Sequence, residues 1–224
     1  MEKQNKLIIV GDSAFAEIAY EYFTHDSIYE VVAFSVEKDY LTKDKLFGLP
    51  IIPLDELDKN FNPSKHFVYV ATVYTQLNRL RTRLSFIVKQ KGFTLASYIS
   101  SKSFVWKNAK LGEHCFIFED NTVQPFVKIG NNVVLWSGNH IGHHSVIQDN
   151  CFISSHVVIS GFCNIGENCF IGVNATFANN LTIGKDCVIG AGVLVTKDVA
   201  EDQVIKGLTS EAKPSARRLF KVKE

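Results

Sequence analysis

From Val105 onward the chain carries an apolar residue at every sixth position: Val105, Leu111, Ile117, Val123, Ile129, Leu135, Ile141, Ile147, Ile153, Ile159, Ile165, Ile171, Phe177, Ile183, Ile189 and Val195. The intervening text is rich in Asn, Gly and His. Glycine follows seven of these positions, at 112, 130, 142, 166, 172, 184 and 190, which is half of the 14 glycines in the protein. A six-residue period with aliphatic residues inward and Gly, Asn and Asp at the corners predicts a parallel β-helix of short strands. Three hexads close a triangular coil, and sixteen hexads give five to six coils. At about 4.8 Å per coil the prism stands roughly 25 Å tall.

Residues 1–95 follow another pattern. LIIVG (7–11) reads as an apolar strand ending in glycine, and Asp12-Ser13 as the cap of a helix through AFAEIAYEYF. VVAFS (31–35) and HFVYVAT (66–72) read as further strands, and TQLNRLRTRLSFIVKQKG as a helix stopped by Gly92. Strand and helix alternating in this order argue a small parallel α/β layer. TLASYIS (94–100) is extended and leads into the prism. The expected domains are therefore 1–95, a Rossmann-like module; 96–200, the β-helix; and 201–224, a basic tail.

Composition narrows the function classes. The chain has 224 residues, 24 Lys+Arg against 23 Asp+Glu, and 46% hydrophobic residues. That is enough apolar material for a sizeable core, and a net charge of +1 gives no field for nucleic acid or an acidic membrane. No uncharged apolar run of transmembrane length exists, and the first residues lack a signal-peptide pattern. A soluble, cytoplasmic protein is expected. All five cysteines (115, 151, 163, 169, 187) fall four residues after an inward aliphatic position, without CxxC spacing. They read as small core groups, not as nucleophiles, ligands or disulfide partners.

Candidate chemistry gathers at two places. The turn Gly11-Asp12-Ser13-Ala14-Phe15-Ala16 matches GxGxxG/A if Ser13 stands for the second glycine, which suits backbone amides holding a diphosphate or an ordinary strand-to-helix turn. The second strand ends Phe34-Ser35-Val36-Glu37 without a clear acidic terminus, which argues against hydride transfer. Of the seven histidines, four lie between 140 and 156, inside the prism: His140, His143, His144 and His156. His143 and His144 sit at a corner, where they are either solvated turn residues or a general base for acyl transfer. Ligands for a zinc ion would stack at multiples of 18, and spacings of 3, 1 and 12 do not; no metal is expected.

LGEHCF, IGNNVV, IGENCF, IGKDCV and IGAGVL resemble the hexapeptide-repeat acyltransferases, whose prism is a left-handed β-helix. With KLIIVGDSAFAEIA and GFTLASYISSKSFV added, the whole chain resembles bacterial sugar acyltransferases related to sialic acid O-acetyltransferase and nucleotide-amino-sugar N-acetyltransferases. The resemblance implies a homotrimer with acetyl-CoA in the groove between adjacent prisms. It implies His143 as the base, with His144 standing where the family has an acidic residue. The family's second histidine falls at Phe152, and His156 is the candidate to replace it. Phe152, His156, Gly161 and Val173 are the implied acetyl-CoA contacts. Gly11, Asp12, Ser13 and Ser35 are the implied contacts to a nucleotide-linked sugar, and Ser35 stands at the family's acidic position. Arg79 and Arg81 are either phosphate contacts or exposed helix residues, and the cations at 206, 213, 217, 218, 221 and 223 either meet CoA phosphates or are solvated.

The expected activity is acetyl-CoA-dependent N-acetylation of a nucleotide-linked amino sugar, a 4-amino-4,6-dideoxy sugar bound for a surface polysaccharide such as O-antigen. The alternatives are an O-acetyltransferase on a sialic-acid-like sugar, a β-helical zinc lyase of carbonic anhydrase type, and a scaffold without activity.

Overall fold

The computed structural model describes residues 2–207. The N-terminal module is built on a six-stranded sheet, from β1 (Asn5–Val10), β2 (Tyr29–Val36), β3 (Lys45–Leu46), β4 (Leu49–Pro53), β5 (His66–Val70) and β6 (Thr94–Leu95). Their order is β3-β4-β2-β1-β5-β6, parallel except for the short β3–β4 hairpin. Helix α1 (Ala14–His25) follows β1, α2 (Leu57–Asn60) is a single turn, and α3 (Arg79–Gln90) precedes β6. β1 is apolar and buried from Leu7 to Val10 because it lies there between two parallel neighbours with both faces covered. Two local features depart from the sequence pattern. The β3–β4 hairpin and α2 extend the sheet through a segment whose pattern predicts nothing. Helix α3 starts at Arg79 and not at Thr75, because Gln76, Leu77 and Asn78 all have positive φ.

The prism has three parallel faces stacked in steps of 18 residues. Face one runs from Tyr98–Ile99 through Phe116, Val134, Phe152 and Phe170 to Val188 and a last strand at Val204–Ile205. Face two runs from Phe104–Val105 to Leu194–Val195, and face three from Lys110–Leu111 to Thr182–Ile183. Val204–Ile205 corrects the boundary drawn at 200, since the stretch assigned to the tail begins with a prism strand. The tail cations from 213 to 223 lie outside the described residues.

Each corner needs one residue in the left-handed region. Positive φ recurs three residues after every inward position from Leu111 to Ile189, at His114, Asp120, Phe126, Asn132, Gly138, His144, Asn150, His156, Phe162, Asn168, Asn174, Asn180, Asp186 and Gly192. Asn, Asp and Gly tolerate this conformation, which explains most of the non-aliphatic composition of the repeat. The cysteine position has its own requirement. Each thiol donates to a carbonyl one coil further on: Cys115 to Gly130 (3.2 Å), Cys151 to Gly166 (3.1 Å), Cys163 to Ala178 (3.1 Å), Cys169 to Gly184 (3.2 Å) and Cys187 to Ala200 (3.1 Å). Ser145 does the same to Ser160 at 2.9 Å. The position calls for a small donor, and burial pushes the Cys115 thiol up to about 11.

The two modules meet along face one and its neighbouring corner. Phe15, Tyr22 and Phe23 of α1 pack edge-on or tilted against Tyr98, Phe116, Phe118 and Trp136. Helix α3 lies along the corner between faces three and one, from Lys89 paired with Glu113 to Arg79 paired with Asp186 at 2.8 Å. Arg81 is fully buried between them, which corrects both sequence readings of it as a phosphate contact or an exposed helix residue. Its guanidinium donates to Asn132 Oδ1 (2.8 Å) and to the carbonyls of Asn132, Thr72, Val73 and Cys151. Asn132 Oδ1 also meets His114 Nδ1 at 2.8 Å, and Val70 N–H donates to His114 Nε2 at 2.9 Å.

Candidate active site

His143 and His144 occupy the corner between faces two and three, after the strand His140–Ile141 and before Val146–Ile147. Both are exposed. The backbone N–H of His143 donates to Gln124 Oε1 at 2.8 Å, which pins the turn to the coil below. The two rings meet Nδ1 to Nδ1 at 3.1 Å, nearly perpendicular. The His143 ring lies over Gly161, where any Cβ would come within 2.7 Å of its Cε1. His144 is stacked between Phe126 and Phe162, with ring centroids 4.6 and 4.8 Å away. An exposed imidazole with one nitrogen engaged and the other free can act as a proton acceptor.

The second locus is the turn after β1. Gly11, Asp12 and Ser13 line a cavity of about 290 Å³ together with Val36, Glu37, Tyr40, Thr72 and Thr75. Gly11 is required there: its φ is +124°, and a Cβ would approach the Ala71 carbonyl oxygen to 2.8 Å. Ser13 is the N-cap of α1 but makes no side-chain cap, while Asp12 lies 3.6 Å from Lys43 Nζ. Ser35 does not line the cavity. It is fully buried, its carbonyl accepts from Gly11 N–H at 2.7 Å, and its hydroxyl has no partner. The acidic residue beyond the second strand is Glu37, gripped by Arg83 through two hydrogen bonds of 2.7 and 2.8 Å. Those bonds hold its carboxyl below the usual range against the opposing effect of burial.

A third, aromatic pocket of about 230 Å³ lies between the loop after β5 and the prism, lined by Val73, Tyr74, Trp136, Phe152, Ser154, Ser155 and Val173. It shares the 72–75 loop with the cavity at Gly11. Phe152 and Val173 thus come together, although Phe152 is mainly a packing residue, stacked on Phe170 with the Arg81 guanidinium 6.0 Å from its ring centroid. His156 sits at the corner between faces one and two, its ring over Gly138. His143 and Gly161 lie at the corner between faces two and three. Within one chain, therefore, the residues expected around acetyl-CoA divide between two corners. The histidine pair also stands at the corner opposite the face that carries the N-terminal module. Among the described residues no cluster of three His, Cys, Asp or Glu side chains converges on a metal position, and no helix is long and apolar enough to cross a membrane.

Gln124, Phe126, Phe162, Glu37 and Tyr40 were not singled out by the motifs. Phe126, His144 and Phe162 are 18 residues apart, so the coil length alone places them in one column.

The comparisons agree with this architecture. Residues 126–161 and 162–197 match the family model described as bacterial transferase hexapeptide (six repeats). Both matched stretches lie within the prism and follow its hexad period. Among solved structures, the chain is similar to the acetyltransferase domain of PglB from Neisseria gonorrhoeae, with 22% identity, 91% of this chain and 97% of that chain covered, and a TM-score of 0.81. A mutant of perosamine N-acetyltransferase from Caulobacter crescentus in complex with CoA and GDP-perosamine has 22% identity, coverage of 94% and 98%, and a TM-score of 0.79. WeeI from Acinetobacter baumannii has 21% identity, coverage of 91% and 97%, and a TM-score of 0.68. These likenesses establish the two-module fold over nearly the whole chain. No curated protein matches by sequence.

Proposed function

We propose that the protein is an acetyl-CoA-dependent N-acetyltransferase acting on a nucleotide-linked amino sugar, working as a homotrimer. The observation that carries this reading is the free-edged His143, held at an exposed prism corner in a chain that also offers a cavity at the start of a helix. The second solved relative, which shares this two-module fold, is an amino-sugar N-acetyltransferase in complex with CoA and a nucleotide-linked sugar. The N-terminus of α1, with Gly11, Asp12 and Ser13 around it, suits the diphosphate. Tyr40 and Glu37 suit the nucleoside, and the aromatic pocket beyond the 72–75 loop suits a sugar with an apolar, deoxygenated face.

His143 and the nucleotide cavity lie on different sides of the same prism, so the working site forms between chains. His143 and Gly161 of one chain face the Phe152, Val173 and His156 side of its neighbour, with acetyl-CoA in the groove. There His143 Nε2 takes a proton from the sugar amine as the nitrogen attacks the thioester carbonyl. The C–N bond forms, the C–S bond breaks, and the imidazolium returns its proton to the departing thiolate. No covalent enzyme intermediate is needed, in keeping with the buried cysteines.

Acetyl-CoA turnover with UDP-, GDP- and dTDP-linked amino sugars, read by product mass, tests the proposal. Acetylated product from one of them, absent in His143→Ala, supports it. Absence of product from every amino sugar, with product from a free sialic-acid-like hydroxyl, overturns it in favour of O-acetylation.

A further inference from the structure

We infer that Phe126 and Phe162 clamp His144 as the positioning partner of His143, keeping the His143 proton on Nδ1 and leaving Nε2 free to accept one. The role this gives His143 rests on the acetyltransferase reading; the tautomer and the clamp stand on geometry.

The corner column supplies the argument. Every other left-handed corner position from 114 to 192 is Asn, Asp, Gly or His, residues that tolerate positive φ or hydrogen-bond locally. Phe126 and Phe162 hold φ of 65° and 60°, which a bulky side chain adopts at a cost. They are 55% and 54% exposed, so burial in the chain does not offset that cost. What they do is cover the two faces of His144, with interplanar angles of 25° and 15°. A ring stacked on both faces presents only its edge, and the edge of His144 facing its neighbour carries Nδ1, 3.1 Å from His143 Nδ1. Phe162 also meets the His143 ring edge-on, at 5.1 Å and 86°.

Two ring nitrogens at that distance share one proton. If His144 donated it, His143 would be protonated on Nε2 and could not serve as a base there. The productive arrangement has His143 Nδ1–H donating to His144 Nδ1, with the His144 proton on Nε2. The bond survives when His143 takes the acceptor's proton on Nε2, because Nδ1 stays protonated throughout. A neutral imidazole thus orients the base where a carboxylate would also supply a counter-charge.

The test uses the full-length protein with 15N-labelled histidine and long-range proton–nitrogen spectra at mildly alkaline pH. The expected wild-type result is His143 protonated on Nδ1 and His144 on Nε2. His144→Phe keeps the stack, in a column that already carries Phe at 126 and 162, but removes the acceptor; His143 should revert to the Nε2–H form. His144→Asn, whose side-chain oxygen can accept, should retain Nδ1–H. Phe126→Asn combined with Phe162→Asn relaxes the backbone, as Asn180 shows in the same column, and should release the tautomer. In turnover, His144→Phe should lose tenfold or more in kcat with little change in KM for acetyl-CoA, and His144→Asn should recover most of it. Wild-type His143 protonated on Nε2, or a tautomer unaffected by His144→Phe, overturns the pairing. A tautomer retained in the double Asn variant overturns the clamp. Absence of acetyl transfer by the wild type, with the tautomers as stated, counts against the enzymatic reading and leaves the pairing standing.

Discussion

The imidazole of His143 rests on Gly161, so closely that a Cβ there would fall 2.7 Å from Cε1. This one contact relates a residue of the proposed catalytic corner to a glycine one coil above it. Gly161→Ala has no positive φ to contend with, and the ring it would strike is the end of a movable side chain. The substitution is expected to leave thermal unfolding nearly unchanged while displacing His143. Misplacing a reacting group by about 1 Å costs on the order of 100-fold, so kcat should fall roughly 10- to 100-fold. Steady-state kinetics beside a melting curve separates the two effects.

His143→Ala is expected to abolish turnover and leave the melting temperature close to wild type, because an exposed corner side chain carries little packing. Circular dichroism and calorimetry check the second half of that statement.

His114 makes stability depend on pH. Burial, assisted by the Arg81 charge, lowers its pKa to about 3, against 6.5 for the free side chain. The folded form holds it neutral, accepting from Val70 N–H; protonation would turn that acceptor into a donor. The unfolded chain takes up the proton first, so the stabilisation is fully present above pH 6.5 and is lost as pH falls toward 3. At about 1.4 kcal/mol per pH unit, going from about pH 7 to about pH 5 should cost roughly 2 kcal/mol. Urea unfolding at both values measures it, and His114→Gln should be less stable at neutral pH but flatter between them.

Arg81 holds the two modules together without a carboxylate partner. Its pKa is lowered to about 10 by burial, so it stays charged at neutral pH and is satisfied by carbonyl oxygens from both modules. Arg81→Met would take the donor from the carbonyls of Thr72 and Asn132, while that of Cys151 keeps Val134 N–H, at a cost of about 1–3 kcal/mol for each oxygen left buried and unpaired. Arg81→Lys should recover little, since one ammonium cannot span Thr72, Asn132 and Cys151. Chemical denaturation of the three proteins tests this.

Much of the fold was legible because the coil repeats. Sixteen apolar positions and the seven glycines that follow among them set the hexad, and the strand partners fall 18 residues apart as that period requires. The outward residues of face one carried a second signal that the hexad reading leaves unused. Tyr98, Phe116, Val134, Phe152 and Phe170 are apolar at 18-residue steps, whereas Lys110, Lys128, Asn164 and Thr182 of face three are polar apart from Val146. That contrast marks the face on which the N-terminal module docks, and it accounts for Phe152 as packing. Arg81 was illegible for the opposite reason: a charged residue on a helix reads as exposed unless the carbonyls that receive it are known. Likewise, Ser35 sits where a strand-end motif looks for polar contacts, but the chain turns its side chain inward and presents Glu37 to the cavity two residues later.

The account's central claim is a site built from two chains, with the histidine corner supplied by one and the nucleotide cavity by another. Mixed oligomers test it most directly. His143→Ala removes the corner base, and Thr75→Trp fills the cavity it lines. Each variant alone should be inactive on acetyl-CoA and the nucleotide-linked amino sugar. Oligomers reassembled from both should regain activity, because some interfaces pair an intact corner with an intact cavity. Mixed oligomers that form and stay inactive, or a His143→Ala variant that retains full turnover, would contradict the account.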